Sequence, residues 1–224
     1  MAFRRPTILT LILGAGCLAT LLALGFWQLD RLAWKNALLA EVQERLDHLP
    51  DPLPKPILPE WEYRPVSVVG SVIPNSWFRF PARTVNGEVG DVLMLLISQD
   101  DGRVIPLEHS VIAFGASLPP LPSAIAREGV LRRPAVPGFF TPDNNLVANQ
   151  WYSVDTSAMY TAAGVGQGGV DGYYVVARDW QPNFANNHLQ YAITWLSLAG
   201  VFVVIFVLFH RKKKPTSAPL KSAQ

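Results

Sequence analysis

Two short stretches of this sequence combine the residue types that could hold a metal-centred cofactor. One is Leu24-Gly25-Phe26-Trp27-Gln28-Leu29-Asp30-Arg31-Leu32-Ala33-Trp34-Lys35, and the other is Asn186-Asn187-His188-Leu189-Gln190-Tyr191-Ala192-Ile193-Thr194-Trp195. At helical spacing, Trp27, Arg31, Trp34 and Leu38 share one face, and so do His188, Tyr191 and Trp195. A neutral imidazole at an apolar edge is a good axial ligand for haem iron. Surrounding aromatic faces suit a porphyrin, and a guanidinium such as that of Arg31 pairs with a propionate. The plainer alternative is an interfacial belt, in which Trp and Tyr anchor at the membrane edge and Arg and Lys snorkel. That alternative accounts for the aromatics but leaves His188, flanked by Asn186 and Asn187, open between a ligand role and a helix-cap or interface role.

The elements that must position these residues are legible from hydropathy. Of 224 residues, half are hydrophobic and only 16% are charged. No charged side chain occurs from Ile8 to Trp27 or from Leu189 to Phe209. Each run is about 20 residues, which at about 1.5 Å per residue crosses a hydrocarbon core of about 30 Å. All 17 acidic residues, from Asp30 to Asp179, lie between the runs with 12 of the 19 basic ones. The middle therefore carries −5 and the tails +7. Arg4 and Arg5 precede the first run, and Arg211, Lys212, Lys213 and Lys214 follow the second, so both ends are expected on the cytoplasmic side and the middle outside. The basic cluster is a topology signal, and no nucleic-acid partner is expected. The first run continues past Cys17 without a small-x-small cleavage site, which reads as an anchor in place of a signal peptide. Cys17 is the single cysteine, so the exported part has no disulfide, thiolate ligand or cysteine nucleophile.

These signals divide the chain into a tail (1–7), a transmembrane helix (8–29), a helical extension (30–49) and a proline-rich connector (50–59). A β-rich domain (60–186), a second transmembrane helix (187–209) and a basic tail (210–224) follow. The extension rests on Leu32, Leu38, Leu39, Val42 and Leu46 at helical spacing with no Gly or Pro before Pro50. In the β-rich part, strands are expected at Tyr63 to Ile73, Val92 to Ile97, Val104 to Phe114, Gly129 to Arg133, Leu146 to Val154 and Gly172 to Ala177. Pro119, Pro120 and Pro122 mark a loop, and Thr161 to Gly172 reads as a Gly-rich loop. The fold class is thus a membrane protein with two transmembrane α-helices flanking a mainly antiparallel β (α+β) extracytoplasmic domain.

Other chemistry is weakly represented. Glu108-His109-Ser110 is the one run with hydrolase residue types, but successive strand residues point to opposite faces. There is no Gly-x-Ser-x-Gly elbow, zinc-binding His-Glu-x-x-His or phosphate loop. His48 and His210 sit at the end of the extension and in the basic cluster. No catalytic residue is assigned.

Together the two boundary motifs resemble the surfeit locus protein 1 family, assembly factors for cytochrome c oxidase in bacteria and mitochondria. Leu24, Gly25, Trp27, Gln28, Arg31, Trp34 and Lys35 match its first motif. Asn186, His188, Leu189, Tyr191, Ala192, Thr194 and Trp195 match its second. Tyr63-Arg64-Pro65-Val66 with Gly70, and Asn149-Gln150-Trp151-Tyr152, resemble intervening motifs. The stretch from His109 to Gly115 departs from the family's Arg-Gly-Trp pattern. The resemblance implies a non-enzymatic role in delivering haem a to, or retaining it in, oxidase subunit I, with His188 as iron ligand. Tyr191, Trp195, Trp27 and Arg31 follow as pocket walls and propionate partner, and the only metal expected is that iron. It implies oxidase subunit I, a haem a synthase and membrane lipid as partners. A bacterial inner membrane is expected, because nothing ahead of Ile8 resembles a mitochondrial presequence. The alternatives are a cofactor-free scaffold that binds oxidase subunits and, last, a tethered hydrolase.

Overall fold

A computed structural model describes residues 6–85, 88–166, 168–170, 172–180 and 186–211. The basic flanks Arg4, Arg5, Lys212, Lys213 and Lys214 lie outside the described residues, as does Pro182. The chain forms two compact units, one from Met1–Leu39 with Asn183–Gln224 and one from Ala40–Pro182.

The first unit is a helical hairpin. Helix α1 (Ile8–Leu46) is uninterrupted over 39 residues, because no proline or β-branched run intervenes. One stripe of less exposed positions runs through Gly14, Leu18, Leu21, Gly25, Gln28, Leu32, Lys35 and Leu39, in alternating steps of four and three. That is the 3.5-residue period of a helix packed along a partner. The last helix of the chain covers His188–His210 and turns His188, Ala192, Trp195, Ala199, Phe202, Phe206 and His210 inward at nearly the same spacing. The other faces of both helices expose Ile, Leu, Val and Phe side chains. In water such surfaces would be untenable; in lipid they are the expected exterior. Both helices are long and apolar enough to cross a membrane.

The second unit is built on a strongly bent sheet. Strands β1 (Asp51–Pro52), β2 (Pro65–Val85), β3 (Glu88–Ser98), β4 (Val104–Ala113) and β5 (Ala124–Arg132) precede a short helix α2 (Thr156–Ala162) and strand β6 (Tyr174–Ala177); the final helix, His188–His210, is α3. The 21-residue β2 pairs antiparallel with β5 over Pro65–Ser71 and with β3 from Ser71 onward. Because β3 pairs with β4, β4 with β6, and β6 with β5, the five strands close into a barrel. Pairing is antiparallel except for β4 with β6 and the edge strand β1 on β2. Its interior holds Val66, Val68, Leu95, Ile97, Ile105, Leu107, Leu131 and Val175, all fully buried.

Between Val72 and Trp77, β2 makes a bulge in which four residues stand opposite Leu96 of β3 alone. Asn75 adopts φ 59° there, and the Ser76 hydroxyl donates to Ile73 O and accepts from Leu96 N–H. The bulge reverses which side chains face inward. Val66 and Val68 point into the barrel, whereas Phe78 and Phe80 point out, under Trp151, Met159 and Tyr160. The last turns of α1, with Val42 and Leu46, cover a second outer patch over Val130 and Val176.

Two expectations need correction. Leu146 to Val154 is not a strand: Asn144 Oδ1 accepts from Tyr152 N–H and Ser153 N–H, and Asn149 takes φ 50°. Local side-chain bonds there replace a ladder. The stretch from Thr161 does not begin as loop: Thr161 and Ala162 are the last residues of helix α2, which is capped by Asp155 on Ala158 N–H. The proline-rich connector packs against the barrel: Leu53 is buried, and Arg103 donates to the carbonyls of Leu53 and Pro54.

Candidate functional site

Helices α1 and α3 run antiparallel, facing each other at Gly14 with Phe206, Gly25 with Leu196, Gln28 with His188, and Asn36 with Asn186. The residue numbers fall along one helix as they rise along the other, which is the mark of an antiparallel pair. Glycine at position 25 lets the helices close, as small residues do at membrane interfaces. Three residues on, at the boundary where Asp30 and Arg31 end the apolar run, two polar side chains meet. Gln28 is only 8% exposed, and its Oε1 lies 2.8 Å from Nδ1 of His188. Farther along, the Asn186 amide donates to Asn36 Oδ1 at 2.9 Å.

His188 therefore lies in the helix seam as the first residue of α3. The N-cap is Asn187, whose side chain makes no capping bond. Trp195 is half-buried along the same seam. The other three sequence candidates lie on the flank. In an antiparallel pair, three residues forward on either helix turn towards the same side. Arg31, three after Gln28, and Tyr191, three after His188, thus share one flank. Trp27 and Trp34 lie along it, with the Arg31 guanidinium 5.8 Å and 5.5 Å from their ring centres. Trp27, Trp34 and Tyr191 are about half exposed. The structure thus brings Trp27 and Arg31 into contact, sets Tyr191 on their side, and holds His188 and Trp195 in the seam beside them.

Gln28 is the residue that its type alone did not single out. In the sequence it is one member of a motif, and the signal for it is its register. It stands three residues after Gly25 and fourteen after Gly14, on the stripe that meets α3.

The Glu108-His109-Ser110 run does not build a nucleophile. In β4, Glu108 faces Met94 and Ser110 faces Leu93, and His109 is the extra residue of a bulge. Ser110 Oγ and His109 Nδ1 are each buried without a hydrogen-bond partner. A serine nucleophile needs a base bonded to its hydroxyl. Burial and, secondarily, the nearby Asp179 push the Glu108 carboxyl up to about 7. Burial and Arg127 lower the His109 imidazole. Among the described residues no cluster of three or more His, Cys, Asp or Glu side chains could hold a metal ion.

The fold and the seam define a class: a protein with two membrane-spanning helices and a β-barrel domain encoded between them, with a polar helix-to-helix bond at the edge of its apolar runs. Residues 15–200 match the model of the SURF1 family, and the chain belongs to that family. It is similar to a SURF1-like protein of Monosiga brevicollis, 26% identical over 84% of this chain and 83% of that one. It is also similar to the SURF1-like protein of Rickettsia felis, 23% identical over 85% of this chain and 92% of that one. The cytochrome oxidase assembly protein SHY1 of Saccharomyces cerevisiae is 37% identical over 40% of this chain and 24% of its own length.

Proposed function

We propose that this protein assists the assembly of cytochrome c oxidase by holding haem a for subunit I at the outer edge of its helical hairpin. Family membership and the name of the yeast relative support the assembly role. The observation that carries the haem reading is the bond between Gln28 and His188. It holds Nδ1 of the imidazole against a carbonyl oxygen and leaves Nε2 as the nitrogen available to a metal.

The residues present suit a haem. A single imidazole supplies an axial ligand, Trp27 and Tyr191 offer aromatic surface on the adjoining flank, and Arg31 offers a cation for a propionate. When bound, the haem would contribute an iron centre for the client and no reaction in the carrier. The chain's own residues bind, orient and shield it, and the protein acts without catalysis. By the charge asymmetry of the flanks, both termini lie on the cytoplasmic side and the barrel on the opposite side, which in a bacterial inner membrane is the periplasm. Subunit I is the recipient, and a haem a synthase is the donor.

The test is the absorption spectrum of the full chain purified from cells that make haem a. A haem spectrum that His188→Ala weakens supports the reading, and an unchanged haem content in that variant overturns the ligand assignment. Haem-free protein that still co-purifies with subunit I would support the cofactor-free scaffold in its place.

A further inference from the structure

This inference rests on the reading of His188 as the haem ligand and concerns the residue behind it. Gln28 carries a primary amide into a seam whose neighbouring positions are Gly25 and Leu32. A buried amide is costly unless it is hydrogen-bonded, and lipid makes the cost greater. Its partner is Nδ1 of His188 at 2.8 Å. The Gln28 atom facing the ring is the carbonyl oxygen, which only accepts, so the contact is a hydrogen bond when the proton is on Nδ1. In a neutral imidazole the lone pair is then on Nε2. A free neutral histidine prefers the opposite arrangement, with Nε2 protonated and unable to bind iron.

We propose that Gln28 is a positioning residue, holding neutral His188 as the Nδ1–H tautomer and fixing its ring so that Nε2 is presented to iron. Metal-binding histidines almost always donate the second ring N–H to an acceptor, which orients the ring and raises its basicity. Here the acceptor comes from the facing helix, so ligand orientation depends on α1 and α3 remaining closed at Gly25. His210 supplies an internal comparison. Its Nδ1 lies 2.7 Å from Phe206 O on its own helix, so its tautomer is set independently of Gln28.

The test uses the full chain in detergent micelles with ¹⁵N-labelled histidine, first without haem, at about pH 8.5, where imidazoles are neutral. The expected result is an Nδ1–H signal that His188→Ala removes and that Gln28→Leu converts to Nε2–H, with the His210 signal unmoved. Titration with haem a follows. Gln28→Leu is expected to weaken binding about 10- to 100-fold and to shift the reduction potential of the bound haem upward, because the ligand is less electron-rich. Gln28→Glu keeps an acceptor, and is expected to bind haem and shift the potential downward. That variant keeps the test decisive if Gln28→Leu fails to fold. An Nε2–H signal for His188 in the unaltered protein overturns the positioning role, as does an unchanged potential in both Gln28 variants. Haem binding that persists in His188→Ala overturns the underlying ligand reading instead, whatever the tautomer.

Discussion

Gly25 of α1 and Leu196 of α3 approach so closely that a Cβ at position 25 would lie 2.6 Å from Leu196 Cδ2 and 2.8 Å from its Cγ. The Leu196 side chain has a branch point there, not only a flexible end, so it cannot simply swing aside. The seam at this depth is thus closed by the absence of a side chain, one turn from the Gln28–His188 bond.

Gly25→Leu should therefore open the hairpin locally and part Gln28 from His188. Overpacking of this kind costs about 1–3 kcal/mol. Thermal unfolding in detergent should show a lower midpoint, and under the proposed haem reading the haem content should fall with it. Gly25→Ala should be milder than Gly25→Leu in both measurements. A Gly25→Leu protein with unaltered midpoint and haem content would show that the helices do not need this approach.

Trp151 is 1% exposed and stands edge-on to Phe78, with ring centres 5.1 Å apart. Its indole N–H donates to Asn149 Oδ1, and the Asn149 amide donates in turn to Trp77 O. The Asn149-Gln150-Trp151 motif thus plugs the outer face of the barrel at the β2 bulge. Trp151→Ala should destabilise the protein by about 3–5 kcal/mol, read as a fall in the urea midpoint. A loss below about 1 kcal/mol would mean that the plug is dispensable for folding.

Which parts were legible in the sequence follows from what each signal measures. The helices were legible because a bilayer demands some 20 uncharged residues in a row, and the extension to Leu46 because its apolar spacing continues unbroken. Strand alternation located parts of β2, β3, β4, β5 and β6. The barrel closure was not legible, since it depends on β2 pairing with two partners along its length. Nor was the bulge at Ile73 to Ser76, where inward and outward exchange. Helix α2 is too short for a periodic signal, although Asp155 before Thr156 was a visible cap. In the candidate site, His188 stood out by residue type, while Gln28 did not. A glutamine becomes notable only once its register with Gly14 and Gly25 shows that it is buried.

Asp91 is 2% exposed and accepts from the Arg79 guanidinium at 3.0 Å, from Gly115 N–H at 3.0 Å and from Ala82 N–H at 3.2 Å. Arg79 also donates to Ala116 O. One ion pair thus fastens both the irregular step in β2 at Ala82, where φ is 51°, and the loop after β4. Asp91→Ala strands a largely buried guanidinium and two N–H groups, and should cost about 3–5 kcal/mol. The double replacement Arg79→Met with Asp91→Leu should cost less than Asp91→Ala alone, because no charge is left unpaired. If the double variant melts below the single one in thermal scans, hydrogen bonding by Arg79 outweighs its desolvation.

Glu108 gives the barrel a predictable response to pH. Burial, with Asp179 adding repulsion, raises its carboxyl from an ordinary 4.5 to about 7. The folded protein thus binds the proton more tightly than the unfolded chain does. Stability linked to this group is fully present below about pH 4.5, declines as pH rises between the two values, and is lost once pH passes about 7. Each tenfold difference in proton affinity between the folded and unfolded chains is worth about 1.4 kcal/mol. With the residual exposure of the side chain, a total on the order of 2 kcal/mol is expected. Glu108→Gln should therefore be more stable than the unaltered protein at pH 8 and nearly equal to it at pH 5. Urea midpoints followed by tryptophan fluorescence at those two pH values measure the difference. A gain of the same size at both would place the effect of the substitution in packing, not in the carboxyl's ionisation.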